Sequence, residues 1–206
     1  MLSLAVLPAV LFAVITWQVA ASGPLLGLDR SVSHALLVPD RTGQFLADLG
    51  DATVAVPVLA AALVWAARRA RAAGAARWWA APLAAAVLTA LLPALVVPLK
   101  EWTARHGTAV MPPGVGYYPS GHAATAGVAY GAAALVLRPV LRGARARRAV
   151  VGVCAALVLG VSYGLVRRGY HWPLDVVASW CLCAVLLTPL LAVAGPVLRR
   201  ARPGSG

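Results

Sequence analysis

Two residues near the C-terminal end of the chain have the types and the spacing of a nucleophile and its orienting partner. His171 and Asp175 lie at positions i and i+4, and Pro173 between them suits the first turn of a helix. An aspartate that accepts the imidazole N–H fixes the tautomer and leaves the other ring nitrogen free to attack. Asp175 would also complement a helix N-terminus on its own, but that role explains neither the histidine nor the adjacent Arg167 and Arg168.

A second histidine follows a short polar motif at the start of another apolar segment. In Pro119-Ser120-Gly121-His122, Ser120 is suited to cap the helix, and Gly121 lets the backbone approach a ligand closely. Free amides at a helix start bind phosphate readily. A serine cap with an incidental histidine is the simpler alternative, but the tetrapeptide at the mouth of an apolar helix favours a functional site.

The cations needed to complete such a site precede this motif. Lys100 is the only lysine in the chain, and Arg105 follows five residues later. Taken alone, Lys100 is explained equally well as a side chain that reaches the membrane interface. Together, the cations, a paired histidine and a second acid/base group are what phosphoryl transfer requires. We expect no metal ion and no cofactor, because a histidine nucleophile does not need one.

The elements that must position these residues are long apolar segments. Hydrophobic residues make up 61% of the 206 residues and charged residues only 12%, and the apolar blocks approach the ~20 residues that cross a bilayer. We expect an all-α integral membrane bundle of six helices, a single domain over residues 1–206, with a short interfacial helix at about 28–37. The predicted spans are residues 2–21, 45–67, 78–99, 120–137, 149–166 and 172–198.

The net charge of +12 is concentrated in loops that follow apolar spans. Arginine clusters occupy Arg68 to Arg77, Arg138 to Arg148 and Arg199 to Arg202, which is the pattern of cytoplasmic loops rather than of a nucleic-acid interface. With these loops inside, both termini are cytoplasmic. The histidines and all acidic residues then lie at or near the extracytoplasmic face, so we predict a multi-pass cell-membrane protein with its site on that side.

The motifs resemble those of the type 2 phosphatidic acid phosphatase family, which includes vanadium haloperoxidases and undecaprenyl-pyrophosphate phosphatases. Pro119-Ser120-Gly121-His122 and the His-x-x-x-Asp of His171 and Asp175 match the family pattern in full. Two family arginines are missing: Gly107 stands seven residues after Lys100, and Leu165 stands six residues before His171. The phosphate-binding role therefore passes to Arg105 and to Arg167 or Arg168, between which the sequence does not choose.

The resemblance implies a mechanism and a class of substrate. His171 would attack phosphorus to form a phosphohistidine, and His122 would protonate the leaving oxygen and then activate water. Lys100, Arg105 and Arg167 or Arg168 would hold the phosphate oxygens, helped by amides near Ser120 and Gly121. The substrate would be a membrane lipid phosphate, with polyprenyl pyrophosphate, phosphatidate and phosphatidylglycerophosphate all suitable and a polyprenyl carrier preferred. The alternatives are a non-catalytic phosphate-lipid scaffold, a transporter that uses the same pocket, or a vanadate-dependent oxidase, which the small membrane-embedded chain disfavours.

Overall fold

The computed structural model describes residues 2–194, and the regular structure in that range is helical apart from one isolated bridge between His106 and Val115. Residues 195–206, which include the end of the sixth predicted span and the cluster Arg199 to Arg202, lie outside the described residues. The helices are α1 (Leu2–Ala20), α2 (Leu25–Leu36), α3 (Arg41–Asp48), α4 (Ala52–Ala72), α5 (Ala80–Thr103), α6 (Gly121–Val140), α7 (Ala144–Arg167) and α8 (Pro173–Ala194).

Five of these helices, α4 to α8, are each long and apolar enough to cross a membrane. The chain bends by 92° between α1 and α2, and these two helices meet the same criterion only as a pair. The described residues therefore contain five such helices, or six if the bent pair forms one span. The all-helical, multi-pass membrane architecture is confirmed, whereas the count of six and the side of each terminus stay predictions.

The second predicted span, residues 45–67, covers parts of two helices in the structure. A short helix, α3, ends at Asp48, and the membrane helix α4 begins only at Ala52. The break lies at Gly50, where a Cβ atom would come within 2.6 Å of Val161 Cγ1 and 3.2 Å of the His122 carbonyl oxygen. Close packing of the turn against α6 and α7 therefore requires glycine and separates two helices that hydropathy alone joins.

Helix α6 forms the centre of the bundle. It packs against α4, α5, α7 and α8, and most of its alanine and glycine residues are buried. Small residues let neighbouring helices approach closely within a membrane. Gly127 shows this directly, since a Cβ there would lie 2.6 Å from the sulfur of Cys183 in α8. His122 is thus held at one end of a tightly packed helix, and Arg138 lies near the other end.

The short helices α2 and α3 cover the end of the bundle at which α6 and α8 begin. Helix α3 packs on α7 so closely that a Cβ at Gly164 would lie 2.6 Å from the Gly43 carbonyl oxygen. Helix α2 contacts α7 and α8 and turns Asp29 and Ser33 inward, where both are buried. This cap brings Asp29 and Asp40 to Arg105 and Arg167 in the second half of the chain.

Candidate active site

His171 and Asp175 form the pair that their spacing predicts. Nδ1 of His171 lies 3.2 Å from Oδ2 of Asp175, and the same oxygen accepts the Trp172 backbone N–H at 3.1 Å. Because a carboxylate accepts, Nδ1 carries the hydrogen and Nε2 is left with a free lone pair. Asp175 is fully buried and His171 is 7% exposed, so the ring is held in one orientation at the start of α8.

Arg105 donates a hydrogen bond to the other oxygen of Asp175. One terminal nitrogen of its guanidinium donates to Asp175 Oδ1 and the second donates to Asp29, with the arginine side chain 9% exposed and both carboxylates fully buried. Asp29 also accepts the backbone N–H of Leu174 at 2.8 Å. Arg105 does not line the cavity that His171 faces. Its guanidinium contacts two carboxylates in this structure, and its role as a phosphate ligand stays a prediction.

His122 lies in the first turn of α6, as its motif predicts. The Ser120 hydroxyl oxygen accepts the Ala123 N–H at 3.2 Å, which makes Ser120 the cap of the helix, and the Ser120 side chain is fully buried. The His122 side chain is about half exposed, and its Nε2 lies 2.7 Å from Oδ1 of Asp51. Ser120 therefore fixes the start of α6, and the carboxylate of Asp51 pairs with the imidazole of His122.

A cavity of about 690 Å³ joins the two histidines. Lys100 and Gly121 line it together with His122 and His171, and the ammonium of Lys100 donates to the Gly116 carbonyl oxygen at 2.7 Å. A Cβ on Gly121 would lie 3.9 Å from the Cε atom of Lys100, so the helix start and the ammonium are neighbours. The rest of the wall is largely apolar and is contributed by α4 and α5, including Val56, Leu92, Pro93, Val96 and Val97.

Arg167 and Arg168 point to other partners. The guanidinium of Arg167 donates to Asp40 Oδ2 at 2.9 and 2.7 Å, and this contact holds the pKa of Asp40 below its ordinary value. Arg168 donates to the Tyr170 hydroxyl at 3.3 Å. Neither arginine lines the cavity, so the structure does not bring them to Lys100 and the histidines.

The two tyrosines before the Pro-Ser-Gly-His motif stabilise the loop between α5 and α6. The Tyr117 ring meets the His171 ring edge-on, with centroids 6.2 Å apart. The hydroxyl of Tyr118 is 2.6 Å from Thr16 Oγ1 in α1, and burial raises the Tyr118 pKa to about 12. The loop between α5 and α6 therefore contacts α1 through Tyr118 and His171 through Tyr117.

Two residues of this site were missed by reasoning from the sequence. Asp29 and Asp51 stand in unremarkable local contexts, one inside a short amphipathic helix and the other in a turn. The available signal was their rarity, because the whole chain contains only six acidic residues. Each carboxylate in so apolar a protein needs a partner, and these two pair with Arg105 and His122.

The arrangement places the His171 imidazole, the His122 imidazole and the Lys100 ammonium around one cavity. These groups suit transfer of a phosphoryl group, in which charge stabilisation and positioning dominate. Among residues 2–194, no group of three or more His, Cys, Asp or Glu side chains is arranged to hold a metal ion.

Comparisons with known proteins agree with this geometry. The fold is similar to a crystal structure described as the first transmembrane PAP2 type phosphatidylglycerolphosphate phosphatase from Bacillus subtilis, with a TM-score of 0.73 and 18% sequence identity. The match covers 93% of this chain and 98% of that chain, which establishes a shared fold. The search of curated proteins found no match. A sequence profile described as PAP2 superfamily matches residues 93–197, just over half of the chain and the segment that carries both histidines. The chain therefore belongs to the PAP2 superfamily, the type 2 phosphatidic acid phosphatase family that its motifs resemble.

Proposed function

We propose that this protein hydrolyses the phosphate of a membrane lipid through a phosphohistidine intermediate. The observation that carries the proposal is that His122 and His171, each paired with an aspartate, line one cavity together with Lys100. Membership of a phosphatase family supports the same reaction class.

The proposed reaction has two balanced steps. In the first, Nε2 of His171 attacks phosphorus, the bond from phosphorus to the leaving oxygen breaks, and His122 gives that oxygen a proton. In the second, His122 takes a proton from water, the water oxygen attacks phosphorus, and the bond from phosphorus to nitrogen breaks to release phosphate. Lys100 and the amides at the start of α6 stabilise the charge on the phosphate oxygens. Neither step calls for a metal ion, so we expect activity to persist in EDTA.

A lipid substrate fits the wall of the cavity. The ionisable groups lie at one end, whereas Val56 of α4 and Val96 and Val97 of α5 continue the wall with apolar side chains. A lipid places its phosphate at headgroup depth and its chains deeper in the bilayer, so both parts of the cavity have a matching partner. The similar Bacillus subtilis structure is described as a phosphatidylglycerolphosphate phosphatase, which supports the same class of substrate.

The charges around the cavity favour a phosphate monoester over a pyrophosphate. Of the lysine and arginine side chains in the part of the chain that the structure describes, only Lys100 lines the cavity, and the carboxylate of Asp51 lines it too. A pyrophosphate carries additional negative charge, and that charge would meet Asp51 without a second cation to offset it. We therefore expect a lipid monophosphate, such as phosphatidate, phosphatidylglycerophosphate or a polyprenyl monophosphate, to be the better substrate.

We place the active site on the extracytoplasmic side of the membrane. Arg68, Arg69 and Arg71 lie at the end of α4, and Arg138 and Arg142 lie at or beyond the end of α6. The histidines lie at the opposite ends of the bundle helices, where α6 and α8 begin. Because arginine-rich loops are retained in the cytoplasm, this distribution supports an outward-facing site.

The test is release of phosphate by the purified protein from lipid monophosphates and pyrophosphates, with and without EDTA. We expect turnover of monophosphates in both conditions and loss of turnover in His171→Ala. His34→Ala, which removes an exposed histidine of α2, is the matched control and should retain full activity. Tight binding of lipid phosphates without turnover would favour the scaffold instead, and full activity in His171→Ala would exclude the phosphohistidine.

A further inference from the structure

Asp51 makes a contact that its position in the chain does not explain. It is the residue before the first turn of α4, where an aspartate ordinarily accepts backbone N–H groups of its own helix. Here the side chain makes no such capping bond, and only the Asp51 carbonyl oxygen accepts from Val54 and Ala55. The carboxylate instead turns to Nε2 of His122, 2.7 Å away.

The turn that carries Asp51 is fixed against α6. The hydroxyl of Tyr130 donates to the Leu49 carbonyl oxygen at 2.6 Å, and Gly50 lies so close that an added Cβ would be 3.2 Å from the His122 carbonyl oxygen. Two contacts to α6 are therefore made by the two residues that directly precede Asp51. They hold its backbone at a constant distance from the first turn in which His122 stands.

His122 and Asp51 share the cavity with other ionisable side chains. Among residues 2–194, the other ionisable groups that line the cavity are Lys100 from α5, His171 ahead of α8 and Tyr117 from the connecting loop, and Asp51 is the carboxylate among them. A carboxylate that accepts Nε2–H leaves Nδ1 as the ring nitrogen that can exchange a proton with the substrate.

We propose that Asp51 is the positioning residue of His122, as Asp175 is of His171. The inference rests on the proposed phosphatase function and deepens it. The protonated ring gives its Nδ1 proton to the leaving oxygen as the bond to phosphorus breaks, and later takes a proton from the attacking water. Asp51 accepts Nε2–H throughout and so keeps the ring in one orientation.

The experiment compares two leaving groups in the full-length protein. A lipid phosphate releases an alkoxide that needs a proton, whereas p-nitrophenyl phosphate releases a stable phenolate that does not. We expect Asp51→Asn to lower kcat/KM, which reports the steps up to departure of the leaving group, about 10²-fold on the lipid phosphate, the scale of a lost general acid, and far less on p-nitrophenyl phosphate. Asp51→Glu should recover part of the lost rate on the lipid phosphate.

Asp48→Asn is the matched control, because Asp48 lies at the same end of the bundle but its carboxylate accepts from Gln44 at 2.6 Å and does not line the cavity. It should leave both rates unchanged. Adding Asp51→Asn to His122→Ala should cause no further loss on the lipid phosphate. Equal losses of kcat/KM on both substrates, or full activity of Asp51→Asn, would overturn the inference while leaving the phosphatase proposal intact. Inactivity of the unaltered protein on both substrates would overturn the phosphatase proposal itself, and the inference with it.

Discussion

Arg105 donates a hydrogen bond to one oxygen of the buried Asp175 carboxylate. The other oxygen of the same carboxylate accepts from the imidazole of His171. The guanidinium thus contacts His171 only through the carboxylate of Asp175. Asp29 completes the set by binding the second terminal nitrogen of Arg105 and the backbone of α8. Loss of this arginine therefore affects the fold and the site together.

Arg105→Met should lower the free energy of unfolding by about 3–5 kcal/mol, because it leaves two buried carboxylates without their shared partner. Thermal unfolding of the purified protein in detergent measures this effect. Arg167→Met is the comparison, since Arg167 pairs with a partly exposed Asp40 and its loss should matter much less. Equal shifts of Tm in the two variants would show that the buried ion pairs of Arg105 contribute no more stability than the exposed pair of Arg167.

Lys100→Met should reduce kcat/KM for a lipid phosphate about 10²- to 10³-fold, the range found when one group that stabilises transition-state charge is removed. The reason is that Lys100 is the lysine or arginine lining the cavity in the described part of the chain. Arg168→Met should cost much less, because that guanidinium contacts Tyr170. Steady-state kinetics of both variants decide between the two cations, and a larger loss in Arg168→Met would restore the assignment made from the sequence.

Val97→Trp should narrow the apolar part of the cavity without touching its polar end. Val97 lines the cavity, and we expect KM to rise for a long-chain lipid phosphate but not for a short, water-soluble phosphate ester. Val87→Trp is the matched control, because Val87 lies on the same helix with the same 47% exposure but outside the cavity. A similar rise of KM on both substrates would argue that the lipid chains bind elsewhere.

Tyr118 should make the fold sensitive to alkaline pH. Burial raises its pKa from 10.0 to about 12, so the buried neutral phenol contributes stability below pH 10 that is lost as pH rises toward about pH 12. Tyr118→Phe cannot ionise, and its Tm should fall less steeply over that interval. Tyr163→Phe removes an exposed phenol and should leave the slope as it is. An unchanged slope in Tyr118→Phe would assign the alkaline transition to other groups.

Local contacts explain which parts of the site could be predicted from the sequence. The Ser120 cap and the pairing of His171 with Asp175 act over three and four residues, so the order of the residues is enough to infer them. The pairing of Asp51 with His122 spans 71 residues, and that of Arg105 with Asp29 spans 76. No local pattern records such contacts, because they depend on which helices become neighbours and in what register.

The amino-acid sequence alone determined the membrane class, the helical architecture and the two histidine motifs, since each follows from hydropathy or from spacing within one turn of helix. Only the tertiary structure decided where the cations lie. A long arginine side chain can reach several partners, and its choice is set by the buried carboxylate that most needs compensation. Packing of α2 placed Asp29 beside Arg105, and packing of α3 on α7 placed Asp40 beside Arg167. Of the lysines and arginines in residues 2–194, Lys100 alone therefore lines the cavity with the histidines.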